Sequence, residues 1–450
     1  MNKPANFASQ ARPAPESFGA EAYLSPEYAQ AEADKLWPRV WQHVCRLEEI
    51  PEVGDYVTYD IMDDTILVVR SAPETISAFY NVCAHRGRRL ADGCGQVREF
   101  RCSYHAWKYD LTGKCTRVLD PEDWQGKLGE ERLALPKVQV DTWGGWVWIN
   151  MDPDAQPLRE FLEPAASLLD PFELEKMRYR WRLWCHFDCN WKVALEAFIE
   201  AYHVEGTHPQ LMSVGDFTMW SRAMGLHGHN GFDERDPGKQ TEESNTINRP
   251  GKGDDARLSI AALQVETWDT VNARTTKTLV DAAVRLKDEL PEGTPTPEVM
   301  AHWLKSARAD DAARGVVWPD VSPAQQAAAG SSWHMFPNMT IAHSITNALI
   351  YRVRPNRTDP EKCIFEAAVI ERFPEGGEPE TEWVYADPSD VGKWRPVLLQ
   401  DFDNMIQVQR GMRSRGYRSC IPSPKQEQTV ANLHHNLARY VGMGRPRPLE

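Results

Sequence analysis

Two mixed pairs of cysteine and histidine stand close together early in the chain: Cys83-Ala-His85 and, sixteen residues on, Cys102-Ser-Tyr-His105. Two thiolates and two imidazoles are the donor set of a [2Fe–2S] cluster in which the cysteines hold one iron and the histidines the other. Residues two apart in extended backbone point the same way, so Cys83 and His85 can reach out together from one loop. Glycines at 87, 93, 95 and 113 suit tight loops that bring backbone close to a cluster. A structural zinc site is the competing use of such residues. A Cys₂His₂ finger, however, spaces them as Cys-x₂₋₄-Cys and His-x₃₋₅-His, whereas both pairs here are mixed. Neutral imidazole ligands raise the reduction potential above that of an all-cysteine cluster. Such a cluster takes electrons from a low-potential donor and passes them on, which requires an electron sink elsewhere.

A candidate sink lies in NWKVALEAFIEAYHVEGTHP, which carries Glu200, His203 and His208. A His-x₄-His pair alone is a common coincidence. Two histidines five apart converge on one metal if the second lies just beyond a helix end, and Pro209 biases His208 out of helix. With one carboxylate they complete the 2-His-1-carboxylate triad of non-haem iron oxygenases, which leaves positions open for O₂ and substrate. Glu200, three residues before His203, shares its helix face and can hold the imidazole. The bland alternative is a solvated helix residue. His227 and His229 in GLHGHN could form a second metal pair or simply line a loop or pocket, while His334 and His343 flank a strand-like run. His43, His186, His434 and His435 carry no signal.

The elements that must position these residues fall into two texts. Residues 27–45 begin as a helix that Pro38 interrupts. From there to about 153, short runs rich in β-branched and aromatic residues (DYVTYDIMDDTILVVR, ISAFYNVC, WGGWVWINMD) alternate with Gly and Asp, predicting a small all-β domain. A proline-marked linker, about 152–164, leads to a mixed region. The sequence there predicts a short helix over EFLEPAASLLDPF, a strand over RYRWRLWCHFDCN and a helix over 191–208. Further on it predicts helix in TLVDAAVRLKDEL, strands at 331–355 and 362–373, and a last helix over about 389–416.

Composition sets the frame. The chain has 450 residues, 42% hydrophobic and 26% charged, which suits two or three domains. A net charge of −14 argues against nucleic acid, since phosphate contacts need a basic face. No apolar run is long enough to span a bilayer. The N-terminus lacks the basic and apolar regions of a signal peptide and reads as a mobile arm. Nine scattered cysteines suit a reducing cytoplasm, where cysteines near histidines tend to hold metal.

The stretches CAHRGRRLADG and CSYHAWKYDLTGK closely resemble the Rieske proteins of the ring-hydroxylating oxygenase family. The resemblance continues through Asn190-Trp191-Lys192, Glu196, Glu200, His203 and His208 to the late stretch LLQDFDNMIQVQRGM, and covers the chain from about residue 20. It implies an α+β architecture: an N-terminal arm and helix (1–37), an all-β Rieske [2Fe–2S] domain (38–153), and a helix-grip catalytic domain with an antiparallel sheet (154–450). It implies Cys83, His85, Cys102 and His105 as cluster ligands, and His203, His208 and Asp401 as ligands of a mononuclear Fe(II). Asp403 is the competitor for the last position; Asp401 stands eight residues before Gln409, as the family pattern asks. Glu200 becomes the bridge from His203 to His105 of a neighbouring subunit, where many relatives carry Asp.

By the same resemblance the chain is a terminal oxygenase that uses O₂ to hydroxylate, and most often dihydroxylate, an aromatic substrate. Demethylation or quaternary-amine oxidation is the alternative. A Rieske electron carrier without oxygenase activity and a binding protein retaining only the fold are more distant rivals. No Gly-x-Gly-x-x-Gly loop follows a strand, so NAD(P)H would be oxidised by a separate ferredoxin or flavin reductase. A homotrimer, with or without a small beta subunit (α₃β₃), is the implied assembly.

Overall fold

The computed structural model describes residues 14–211, 217–233, 247–249 and 255–449. The beginning of the expected N-terminal arm, residues 1–13, lies outside them, as do 212–216, 234–246 and 250–254. The chain divides into two compact units. One comprises Gln30–Lys176 with Pro355–Asp359; the other comprises Met1–Ala29, Met177–Arg354 and Pro360–Glu450.

The smaller unit is built on a seven-stranded antiparallel sheet. Its order is Gln42–Arg46, Trp146–Asn150, Lys137–Trp143, Thr75–Tyr80, Asp64–Ala72, Asp55–Ile61 and Cys94–Gln96. Leu67, Val69 and Phe79 from the long central hairpin bury themselves against Phe100, Trp107 and Tyr109. These last three belong to, or adjoin, a separate three-stranded sheet of Phe100–Arg101, Lys108–Tyr109 and Cys115–Arg117. That contact fixes the loop bearing Cys102 and His105. Gly113 shows how tight it is: φ is +83°, and a Cβ there would meet the Phe79 ring at 2.4 Å.

The larger unit holds a nine-stranded sheet. In order these are Ile247–Arg249, Phe217–Met224, His227–Asp233, Ser332–Met335, Met339–His343, Asn347–Asn356, Asp359–Glu371, Arg178–Phe187 and Val384–Tyr385. The last pair, Leu183–Trp184 with Val384–Tyr385, runs parallel. The helix Val391–Met412 breaks at Arg395 (φ 65°, ψ 162°), and Pro396 opens its second segment. A proline early in a helical segment has no amide hydrogen to leave unsatisfied. Trp394 and Phe402 pack this helix onto Phe187 and Phe365 of two adjacent strands, with ring centroids 4.9–5.8 Å apart. Aromatic contacts of this kind fix rotation about the helix axis as well as distance.

Two sequence expectations need correction. The segment 191–208 is not one helix: Trp191–Glu196 and Val204–Thr207 are separate short helices joined by irregular backbone. Asn190 caps the first through Lys192 N, as its Asn-Trp-Lys setting suits. The helix ending at Met412 is not the last, because Gln428–Val441 forms another. Its buried Val430, Leu433, Leu437 and Val441 keep helical spacing. Polar partners, His434 among them, share that face and mask the pattern.

Candidate functional site

In the smaller unit two loops present the mixed pairs, and they repeat one backbone design. Cys83 N donates to Arg88 O (2.9 Å) and Gly87 N returns to Cys83 O (3.0 Å). Likewise Cys102 N donates to Trp107 O (2.8 Å) and Ala106 N returns to Cys102 O (2.9 Å). The fourth residue after each cysteine is left-handed, Gly87 at φ 76° and Ala106 at φ 58°. The His85 and His105 rings come to 4.4 Å between centroids, with His85 stacked on Trp107. Cys83 and Cys102 are both buried. The Tyr109 hydroxyl lies 3.2 Å from Cys83 Sγ.

The donor chemistry fits a [2Fe–2S] cluster. His85 Nδ1 and His105 Nδ1 are buried and hydrogen-bond to nothing in the protein, so both are available as donor atoms on rings whose centroids are 4.4 Å apart. Burial, with His105 and Arg86 nearby, lowers the His85 pKa and keeps that ring neutral. Burial opposes a thiolate at Cys102, yet the N–H groups of Tyr104 and His105 and the neighbouring Arg88 outweigh it and bring the thiol below its ordinary pKa. Amides aimed at sulfur are what a negatively charged cluster needs.

In the larger unit, His203, His208 and Asp401 bring donor atoms within 4.8 Å of one another, the one such group among the described residues. Asp401 Oδ1 is 2.9 Å from His208 Nε2 and 3.6 Å from His203 Nε2. The far side of each ring is occupied. His203 Nδ1 lies 2.6 Å from Glu200 Oε1, and His208 Nδ1 lies 2.8 Å from Gln400 Oε1. Gln400 Oε1 also accepts from Gln210 Nε2 at 2.8 Å. Carboxylate and amide oxygens accept here, so each Nδ1 carries a proton, and each Nε2 is turned towards Asp401, where a metal ion would take the place of an Nε2 proton. Such an arrangement fits a divalent metal, whose histidine ligands are held from behind in this way. Burial works against charge on His203, but Glu200 and Asp401 outweigh it and raise its pKa to about 9.

Local structure explains these positions. Glu200 sits in the irregular link, where its other oxygen accepts from the amides of Tyr202 and His203. His203 opens, and His208 ends, the short helix Val204–Thr207. Asp401 lies on the buried face of its helix, while Asp403 is exposed. Gln409 Oε1, two turns on, accepts from Asn190 N at 3.0 Å and ties that helix to the start of Trp191–Glu196. Glu196 bonds Tyr23 and His434 in a buried cluster.

The other histidines have structural partners. His227 Nδ1 accepts from Phe336 N, His334 bonds Pro337 O, and His229 and His343 both bond Ala329 O. Sequence reasoning missed Gln400; its place beside Asp401 was the available signal.

A cavity of about 490 Å³ opens onto His203, His208 and Asp401. Phe198, Trp220 and Tyr351 line it, with aliphatic side chains such as Leu349 and Val397 and polar ones such as Asn230 and Gln426.

A β unit with two thiols and two imidazoles, and an α+β unit with a 2-His-1-carboxylate set beside a cavity, carry the donor sets of a [2Fe–2S] cluster and of a mononuclear iron. Residues 40–128 match the Rieske [2Fe-2S] domain, and residues 174–443 match the ring hydroxylating alpha subunit (catalytic domain). The chain belongs to the family of ring-hydroxylating alpha subunits. It is similar to the carnitine monooxygenase oxygenase subunit of Escherichia coli K12, 29% identical over 209 residues (46% of this chain, 55% of the relative). It is also similar to the glycine betaine monooxygenase oxygenase subunit of Chromohalobacter salexigens, 32% identical over 192 residues (42% and 43%). A third relative, the 2-aminobenzenesulfonate 2,3-dioxygenase subunit alpha of an Alcaligenes species, is 31% identical over 188 residues (40% and 47%). The chain spans about half the length of the curated relatives it matches. Its fold resembles a quaternary ammonium Rieske monooxygenase solved with L-carnitine (TM-score 0.64, 18% identity, 94% of this chain and 95% of that one). It equally resembles a naphthalene 1,2-dioxygenase variant bound to phenanthrene (0.62, 19%, 99% and 96%).

Proposed function

We propose that this chain is the terminal oxygenase of a multicomponent system, and that it monooxygenates a quaternary amine. The observation that carries the reading is the cavity beside His203, His208 and Asp401, with Phe198, Trp220 and Tyr351 among its walls. Aromatic faces attract a quaternary ammonium group, which cannot be held by hydrogen bonds. The carboxylates of Glu200 and Asp401 add a negative end. Two of the relatives described above are named for carnitine and glycine betaine, both trimethylammonium compounds. This shifts the balance from arene dihydroxylation, the first expectation from sequence, to its alternative. The 2-aminobenzenesulfonate relative keeps the aromatic reading as the second.

When bound, a [2Fe–2S] cluster at Cys83, His85, Cys102 and His105 supplies single electrons, and a ferrous ion at His203, His208 and Asp401 supplies open positions for O₂. The protein's own contribution is orientation. Gln400 and Glu200 hold the Nδ1 protons of the two rings, and the helix carrying Asp401 is locked by Trp394, Phe402 and Gln409. Glu200 is hydrogen-bonded to His203, and by the family resemblance it joins that ring to His105 of a neighbouring copy, which calls for an oligomer, a trimer by family. A separate reductase or ferredoxin delivers the electrons. Among the described residues no helix is long and apolar enough to cross a membrane.

The test is oxygen uptake by the iron-loaded protein with a reductase, using glycine betaine, carnitine, γ-butyrobetaine, benzoate and naphthalene. Substrate-dependent uptake with trimethylammonium compounds, and a product that has gained one oxygen atom or lost an amine fragment, is the expected result. Uptake confined to the arenes, with a cis-diol product, overturns it.

A further inference from the structure

The link between the helices Trp191–Glu196 and Val204–Thr207 carries Glu200 and His203, and helical spacing continues through its sequence. Something must therefore hold it open. In a continuous helix Tyr202 N would donate to Phe198 O, and His203 N to Ile199 O. Here both amides turn instead to Glu200 Oε2, that of His203 at 3.2 Å.

The carbonyl of Ile199 supplies the cause. A carbonyl oxygen has two lone pairs, and side chains from elsewhere fill both. The Thr429 hydroxyl donates to it, and so does Asn230 Nδ2 at 3.1 Å. Thr429 stands in the first turn of the helix Gln428–Val441, and Asn230 on the strand His227–Asp233. Ile199, Thr429 and Asn230 are all buried, so losing either donor costs more there than it would in water.

Gly228 lets helix and strand come close enough to share that carbonyl. It lies two residues before Asn230, on the same face of the strand. A Cβ there would meet Thr429 Cγ2 at 2.3 Å. Ser221 Oγ on the neighbouring strand accepts from Thr429 N at 3.3 Å. Further along the same helix, His434 bonds Glu196 at 2.7 Å, where the link begins.

The consequence falls on Glu200. One of its carboxylate oxygens takes the free amides of Tyr202 and His203, and the other meets His203 Nδ1 at 2.6 Å. A closed helix would bond those amides internally and leave the carboxylate without that backbone hold.

We propose that Thr429 and Asn230 are positioning residues for the mononuclear iron site. By occupying Ile199 O they keep the segment 196–204 from closing into one helix, and so aim Glu200 at His203. The inference rests on the reading of His203, His208 and Asp401 as iron ligands.

Two substitutions of Thr429 separate its hydrogen bond from its packing. Thr429→Val keeps the shape and removes the donor; Thr429→Ser keeps the donor and removes a methyl group. The readout is ferrous-iron affinity of the mononuclear site, by chelator competition on the full chain with its cluster in place. Thr429→Val should weaken it about tenfold, the lower end of what partners behind a metal ligand contribute. Thr429→Ser should match the wild type, with the visible cluster spectrum unchanged in both. In a Glu200→Ala background Thr429→Val should add no further loss, because its effect passes through that carboxylate. The reverse order, Ser weakened and Val normal, would make Thr429 a packing residue and overturn the proposal. Equal affinities in all three proteins, or a full additional loss without Glu200, overturn it too. Should Thr429→Val not fold, Asn230→Ala removes the other donor, and unchanged iron affinity there has the same meaning. A wild type that holds the cluster but no mononuclear iron would instead overturn the iron-site reading, and this inference with it.

Discussion

The two proposed metal cradles hold histidine by opposite ends of the ring. In the smaller unit His85 and His105 keep Nδ1 buried without a hydrogen-bond partner, so Nδ1 is the donor atom on offer. In the larger unit Glu200 and Gln400 occupy Nδ1 of His203 and His208, and Nε2 faces Asp401. The means of positioning differ as well. Backbone does the work at the cluster loops, through a pair of hydrogen bonds that each loop repeats. Side chains gathered from distant segments do it at the mononuclear site. The first cradle should therefore be sensitive to its ligands and to φ at a few positions. The second should be sensitive to residues that never touch the metal.

The largest effect that would break this comparison comes from the ligands. Asp401→Ala should abolish turnover while leaving the visible cluster spectrum, and His105→Ala should bleach that spectrum while leaving mononuclear iron. If Asp403→Ala rather than Asp401→Ala stops turnover, the carboxylate assignment is off by two residues.

Acid should distinguish the units next. Burial lowers the pKa of His229 to about 3 and those of His334 and His343 to about 4. An unfolded histidine titrates near 6.5, so these rings are neutral in the fold but take up protons on unfolding below that pH. Their stabilisation is complete above about pH 6.5 and is lost as pH falls towards 4. One pH unit below 6.5 costs about 1.4 kcal/mol per histidine, roughly 4 kcal/mol for three. Hydrogen exchange should show protection of 332–343 falling over this range ahead of 64–72. Parallel loss in both segments would contradict it.

Gln400→Leu should lower iron affinity or activity by about 10–100-fold, with the cluster spectrum unchanged. No change in iron affinity would mean that side chains do not position this site. The smallest effect concerns the loops. Gly87 has room for a Cβ, but its φ is +76°. Gly87→Ala should thus cost about 1 kcal/mol, and Ala106→Gly should recover a similar amount. Thermal unfolding of the two variants in opposite directions would sharpen the parallel between the loops.

The same contrast explains what was legible in the sequence. Cys83 to His105 spans a single hairpin-rich stretch, so local spacing shows the whole donor set. His203 and His208 can be read as a pair, but nothing local ties them to Asp401 nearly two hundred residues away; only the family pattern around Gln409 did so. The structure supplies the cause: Gln409 bonds Asn190 and thereby sets the register of the Asp401 helix. Gln400 was not legible. It acts through tertiary placement, behind the His208 ring. The break between Glu196 and Val204 was hidden for a related reason, since helical spacing continues through a segment whose side chains are bonded elsewhere. Helix Gln428–Val441 escaped notice because buried polar residues, among them His434, which bonds Glu196, sit on its inner face.

The most direct test of two separate iron sites is iron per chain in the full protein, measured beside the visible spectrum for the wild type and Asp401→Ala. About three irons in the wild type and about two in the variant, with the cluster spectrum identical, is the result required by two cradles. Two irons in the wild type, or three retained in the variant, would contradict the assignment of His203, His208 and Asp401.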